Sequence, residues 1–345
     1  MIKVKVKQRV SIKGEYTING KKFPNVITDV GLTEMAKCLV GHALPPLFIE
    51  GGYGTTTPLT TDVDLDTPIP NGDIKFRVDV GNKQPYEVPR KQCEVNRITD
   101  ETLSDNDVVI DFEQEIGGVA PNTGFPGKIE EVGMFDLPYK LINRGGVLYS
   151  RSLVNPGVIT QNGLTGQMSW RLTMNKGDVS ANGGIVHSAL DVIAHNFMRK
   201  NNDSSYYANG LRQTDSERQY EAKYVDFWLN TIQTGRGNSP TSEQQAQLED
   251  HIFEGQDDLA RLTSVNITPA STSGGVEFPA IIKIQRALRF GDINEEIKEV
   301  GLFAVNRAEG HGTLSEKYLW GRYVLPIPIP AGDEAVIQFE IEIGR

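Results

Sequence analysis

The chain has 345 residues, 35 of them glycine, with 35 basic against 45 acidic side chains for a formal charge of −10. That length favours two domains at roughly 100–200 residues each, and an acidic net field does not draw in a phosphate backbone, which argues against general nucleic-acid binding. No run of about 18 apolar residues occurs, so no membrane-spanning helix is expected, and two cysteines cannot build a disulfide framework or an unaided metal centre.

The first nine residues alternate apolar and charged side chains, which predicts a strand. Lys3, Lys5, Lys7 and Arg9 share one of its faces. Four cations on one side of a strand read either as a guarded sheet edge or as a docking strip, so they are the candidate assembly contacts. A secretory signal would need a continuous apolar stretch after the basic start, so none is expected, and synthesis in a reducing cytoplasm is the simpler reading. A helix is expected near 32–40, with Cys38 on its apolar side.

Gly52-Tyr53-Gly54 leads into Thr residues and Pro58. A phosphate loop needs a strand before it and a helix N-terminus after it; without these, and without a Lys-Ser/Thr pair, the segment reads as a turn. Asp62, Asp64 and Asp66 alternate and could gather calcium through hard oxygens. The glycine and glutamate of a calcium-binding loop are missing, so a solvated acidic loop is the better reading. Strand-like segments follow at Ile129–Phe135, Leu148–Arg151 and Met168–Met174, then a loop over 176–184.

Beyond that loop the order repeats about 170 residues on. A helix near 185–198 carries Ile185, Ala189, Val192, Ile193 and Phe197 at helical spacing. Gly235-Arg236-Gly237 with Pro240 follows Gly52-Tyr53-Gly54, after a polar insertion placed at Asn201–Tyr207. Ile297-Lys298-Glu299-Val300-Gly301-Leu302-Phe303 matches Ile129-Glu130-Glu131-Val132-Gly133-Met134-Phe135. Leu319-Trp320-Gly321-Arg322 matches Leu148-Tyr149-Ser150-Arg151, and the alternating strand Ala335–Ile343 closes the second half as Met168–Met174 closes the first. The expected fold is therefore mainly β with one helix per domain: two tandem, similar, antiparallel β-sandwiches over 1–177 and 178–345.

No catalytic constellation stands out. His187, Asp191 and His195 stack at helical spacing and have the chemistry of a zinc site, but they lie on the face left by the apolar stripe, which reads as solvated or inter-subunit. The other histidines, His42, His251 and His311, accompany no nucleophile elbow. Paired carboxylates for glycoside hydrolysis need no local motif and stay open. Trp170, Trp228 and Trp320 sit in apolar, strand-like contexts and read as core; a sugar platform would need them exposed.

The order of Asn25-Val26-Ile27-Thr28 before Gly31-Leu32, Gly52-Tyr53-Gly54 with Pro58, Ile129–Phe135, Leu148–Leu153 and a closing strand resembles a domain of tailed-bacteriophage virion proteins. Ile297–Phe303, Leu319–Pro328 and Val336–Ile343 fit the same pattern, whereas Gly184-Ile185 lacks the Asn-x-x-Thr lead of the first half. The resemblance implies an assembly component rather than an enzyme, without cofactor. Such a subunit would be made in the host cytoplasm and built into the virion at the neck, collar or tail, alongside other virion proteins and copies of itself in a ring. A host-attachment protein binding glycan or receptor, or a head-decoration protein, is the alternative.

Overall fold

A computed structural model describes residues 1–68, 76–78, 86–88, 91–116, 127–136, 146–160, 166–198, 227–252, 264–289, 294–306 and 317–345. In chain order the first half contains β1 (Ile2–Ile18), β2 (Lys21–Pro24), β3 (Val26–Ile27), α1 (Asp29–Leu39), β4 (Phe48–Gly52), β5 (Phe76–Val78), β6 (Tyr86–Val88), β7 (Lys91–Gln92), β8 (Glu94–Ile98), β9 (Asp107–Ile116), β10 (Gly127–Phe135), β11 (Leu148–Thr160) and β12 (Gly166–Asn175). The second half contains β13 (Gly183–Ile185), α2 (Ser188–Phe197), β14 (Phe227–Gly235), β15 (Ser264–Thr268), β16 (Ser271–Ser273), β17 (Val276–Phe278), β18 (Ala280–Leu288), β19 (Ile297–Asn306), β20 (Lys317–Ile329) and β21 (Ala335–Gly344). The protein is mainly β, as composition and alternation imply.

An eight-stranded sheet runs β15-β18-β21-β1-β12-β9-β8, with β2 added to β1. Two smaller sheets, β3-β11-β10-β4-β7 and β13-β20-β19-β14, and two two-stranded ribbons, β16-β17 and β5-β6, complete the architecture of the described residues. Alternation drives burial: Ile337, Phe339, Ile341 and Ile343 of β21 are fully buried, while Gln338 and Glu342 lie on the other face half-exposed. Burying each such side chain contributes about 1.5–3 kcal/mol. The order β3-β11-β10-β4 recurs as β13-β20-β19-β14, and β8-β9-β12 recurs as β15-β18-β21. The irregularities recur as well. Register shifts fall between Ile129/Glu131 and Met134/Phe135 in β10, and between Ile297/Glu299 and Leu302/Phe303 in β19.

β1 departs from the reading of its cations as an edge guard. It is an interior strand: Ile2–Ser11 pair in parallel with Ala335–Gly344 of β21, and Ser11–Ile18 pair antiparallel with Met168–Asn175 of β12. Seventeen residues of regular alternation give it the length to serve both neighbours. The parallel pair departs from a purely antiparallel arrangement, and it runs the large sheet unbroken from one half of the chain to the other.

The helices also cross the division at 177/178. α1 begins at Asp29, three residues before the expected start, because Thr28 caps it by accepting from the Gly31 N–H at 2.9 Å. α2 begins at Ser188 rather than Ile185, because Ile185 is held in β13 opposite Gly321. α1 packs on β11 of its own half and on β18, β21 and β15 of the other; α2 packs on β20 of its own half and on β9 of the first. Trp228 lies against Gly41 just past α1, so the aromatic and the glycine close the junction together.

Candidate functional site

The segments that repeat along the chain converge in space on two buried ion pairs. Glu131 lies on β10 opposite Gly52 of β4, and Arg151 on the adjoining β11. Arg151 Nε donates to Glu131 Oε2 at 2.8 Å, and both side chains are almost entirely covered. The carboxylate also accepts from three backbone N–H groups: Gly54 at 3.0 Å, Asp66 at 3.0 Å and Thr67 at 2.7 Å. The loop after β4 thus closes over the glutamate, with the guanidinium beneath. Arg151 Nη1 donates to Asp62 at 2.8 Å, and Nη2 to the carbonyl and hydroxyl of Thr56.

The second half repeats this arrangement donor for donor. Arg322 Nε donates to Glu299 Oε2. Glu299 accepts from the N–H of Gly237 at 3.1 Å, Glu249 at 3.2 Å and Asp250 at 2.9 Å. Arg322 reaches the Ser239 carbonyl, Gln245 and Glu249. A carboxylate out of water needs its lone pairs filled and its charge met; each pair achieves both inside one loop.

The glycines follow from that geometry. A Cβ on Gly52 would lie 2.4 Å from Glu131 Oε1, and one on Gly235 would lie 2.3 Å from Glu299 Oε1. Gly-x-Gly is the end of a strand running into irregular loop rather than the expected turn, and the anion it receives is the protein's own carboxylate rather than a phosphate. Burial lowers the pKa of Arg151, but the hydrogen bonds to Asp62 and Glu131 outweigh it and hold the value above the ordinary range. The guanidinium stays charged at any pH the fold tolerates.

The other candidates go to separate places. Asp62 is spent on Arg151, Asp64 caps the N–H of Leu65 at 3.0 Å, and Asp66 contributes its backbone to Glu131. They do not converge as a calcium cage. His187 leads into α2 with its ring 3.4 Å from Glu243, Asp191 pairs with Arg97 of β8 at 2.7 Å, and His195 lies beside Tyr318. Three partners on three elements leave no shared centre. Among the described residues no group of three or more His, Cys, Asp or Glu side chains is placed to hold a metal ion.

Trp170 and Trp320 are fully buried and Cys38 is buried on α1, as core packing requires, whereas Trp228 is only partly buried. The placement at Asn201–Tyr207 and His311 lie outside the described residues. Lys3, Lys5, Lys7 and Arg9 are exposed on the outer sheet face. Lys5 is paired with Glu340 of β21 at 2.8 Å, so part of the strip meets an acidic neighbour within the same chain.

The sequence reading singled out the motifs but not the roles of Glu131, Arg151, Glu299 and Arg322. The available signal was a charged residue inside an otherwise apolar strand motif, present in both halves at the same position. A strand that faces the core spends such a residue only on a satisfied pair. Comparison with family models, with curated proteins and with solved structures returns no match.

Proposed function

We propose that the chain is a structural, non-enzymatic subunit of a tailed-bacteriophage virion, assembling at the neck, collar or tail through contacts with other virion proteins and with copies of itself. One observation carries the reading. The glutamate, arginine and glycines of the repeated motif are consumed in fastening loops to the frame, in both halves alike. A signature whose charged members are buried and saturated belongs to a scaffold, because nothing in it is left to bind or turn over a substrate. The recurrence of strand order and bulges supports duplication of one module, whose copies then grew into a shared sheet.

Lys3, Lys7 and Arg9 supply the outward assembly contact in this reading. The test is a set of charge reversals, Lys3→Glu, Lys7→Glu and Arg9→Glu, made in the phage. Lys3 lies opposite Val336, so its reversal should leave stability within about 0.5 kcal/mol, whereas Lys7→Glu and Arg9→Glu face Glu340 and Glu342 and should cost roughly 0.2–1 kcal/mol each, so the thermal midpoint of each variant is read beside its incorporation. Incorporation into particles should drop sharply, while wild-type protein appears at a fixed copy number set by a closed symmetry. Normal incorporation of the triple variant would refute the contact. Absence of the chain from purified particles would refute the virion assignment. A glycan-binding attachment role finds less support, since Trp170 and Trp320 offer no exposed platform.

A further inference from the structure

The side chain of Lys176 is out of water, at 0% exposure, although it carries an amine. It follows Asn175, the last residue of β12, and Asn106 precedes Asp107, the first residue of β9. Asn175 and Asp107 face each other as the last pair of that ladder, and the Lys176 N–H continues it by donating to the Asn106 carbonyl at 3.0 Å. This extra rung sets the two side chains together. Lys176 Nζ lies 2.6 Å from Asn106 Oδ1, 3.2 Å from the Gly177 carbonyl and 3.9 Å from Glu243 Oε1. The other end of the same amide is held too, with Asn106 Nδ2 donating to Asp178 Oδ1 at 2.7 Å.

We propose that Lys176 and Asn106 join through a self-formed side-chain amide bond, with Glu243 carrying the proton. An amine hydrogen-bonded to a carboxamide at 2.6 Å, with a carboxylate 3.9 Å from the amine, supplies the full set of groups this reaction needs, and no outside reagent enters. Glu243 takes a proton from Lys176 Nζ. The freed lone pair forms a bond to Asn106 Cγ, giving a tetrahedral centre. Its collapse breaks the Cγ–Nδ2 bond: Nδ2 takes the proton back from Glu243 and leaves as ammonia, which accepts the second proton shed by the Lys176 nitrogen and departs as ammonium. One amide is lost and one is gained, with no change of oxidation state.

Three features favour the step over a plain hydrogen bond. Burial pushes the Lys176 amine down from its ordinary pKa, with Glu243, Asp178 and Asp105 opposing, so its neutral and nucleophilic form is easier to reach. Asp178 holds Nδ2, which keeps the carbonyl end of the amide turned to the amine. The β9–β12 ladder fixes both backbones, so the encounter is intramolecular and pre-oriented. The product would tie β9 to β12 where the chain leaves its first half, a placement suited to a subunit that bears load in a particle.

The experiment is mass spectrometry of the purified full-length protein. The expected intact mass is about 17 Da below the sequence mass, the loss of one ammonia in an amine-to-amide transfer. Tryptic digestion should leave the bond after Lys176 uncut and give a branched peptide joining the segments that contain residues 106 and 176. Lys176→Arg and Asn106→Ala should restore the unmodified mass. Glu243→Gln, folded by circular dichroism, should form the link at least about tenfold more slowly than wild type. Wild-type protein at its full sequence mass, with a free tryptic peptide ending at Lys176, would overturn the proposal. A Glu243→Gln chain that links at the wild-type rate would overturn the role of Glu243.

Discussion

Replacing Glu131 with glutamine tests the fastening of the first loop with almost no change in volume. Two donors, the Asp66 N–H and Arg151 Nε, point at Oε2, and the Gly54 and Thr67 N–H groups point at Oε1. Whichever way the new amide turns, its NH2 faces two donors. Two hydrogen bonds are lost at about 1–3 kcal/mol each. Arg151 also loses its fully buried counter-charge but keeps Asp62 at 2.8 Å, which spares part of the usual cost of an orphaned buried charge. The net loss should be about 3–4 kcal/mol, or about 10 °C in the thermal midpoint at roughly 2–4 °C per kcal/mol.

Glu299→Gln should cost more, because the remaining carboxylate beside Arg322 is Glu249, at 3.2 Å and 40% exposed, against 18% for Asp62. Thermal unfolding followed by circular dichroism reads the midpoint, and limited proteolysis reads whether the loop after β4 has come free. The orphaned N–H groups can rehydrate if that loop lifts, so cleavage there should rise before the fold is lost. A midpoint shift under about 2 °C with an uncut loop would refute the reasoning, since two buried donors facing a donor cost more than that. Replacing the pair by Glu131→Leu with Arg151→Met separates charge from loop fastening. Such apolar swaps are often neutral for a buried ion pair, but here three loop N–H groups would lose their acceptor, so the double variant should stay destabilised by about 3 kcal/mol or more.

Further predictions follow from the same contacts. Lys5 beside Glu340 holds that carboxyl below the ordinary glutamate range. A depressed carboxylate stabilises the fold above its unfolded pKa of about 4.3 and loses that contribution as pH falls through the lower folded value; Lys5→Gln should therefore flatten the acid limb of a stability–pH curve and leave the neutral-to-basic side nearly unchanged in shape. Gly54→Ala places a Cβ 2.5 Å from Glu131 Oε1 and 2.6 Å from the Asp66 Cβ, an overpacking worth about 1–3 kcal/mol by urea unfolding, and Gly237→Ala should behave alike, 2.5 Å from the Glu249 Cβ. Removing residues 1–10 strips β21 of its parallel partner and removes the buried Val6, Gln8 and Val10, so the product should be insoluble or lose its cooperative thermal transition. Soluble, cooperative protein without those residues would contradict the interior placement of β1.

What the amino acids declare about this fold is mostly local. Strict alternation marked β1 and β21 as strands because each buries one face, and the four-residue spacing of Ala189, Ile193 and Phe197 marked α2 for the same reason. Local pattern says nothing about partners. The cations at Lys3, Lys5, Lys7 and Arg9 looked like an edge device because a lone strand with one charged face is consistent with an edge. Their actual neighbour, Gln338-Phe339-Glu340-Ile341-Glu342, lies more than three hundred residues away and carries the opposite charge on the same face. Read together, the two strands form a complementary pair across the sheet; read singly, each looks like a surface. The exchange of helices was invisible for a related reason, because an apolar stripe specifies burial and not the sheet that buries it. α1 could as well have covered its own half as β18.

The buried pairs mark the other limit. Glu131 and Arg151 stand twenty residues apart, on strands whose pairing was foreseeable from the hairpin-like order of the motifs. Each belongs to a repeated motif whose spacing alone assigns it no role. The repeat held the missing inference. A charge that returns at the same place in two halves, beside a glycine that also returns, signals a shared requirement rather than a solvated face. Small residues cluster where another group must come close, and here that group is a carboxylate closing its own loop. Charge inside an apolar strand, doubled by the repeat and facing a glycine, is a pattern that can be sought before any coordinates exist.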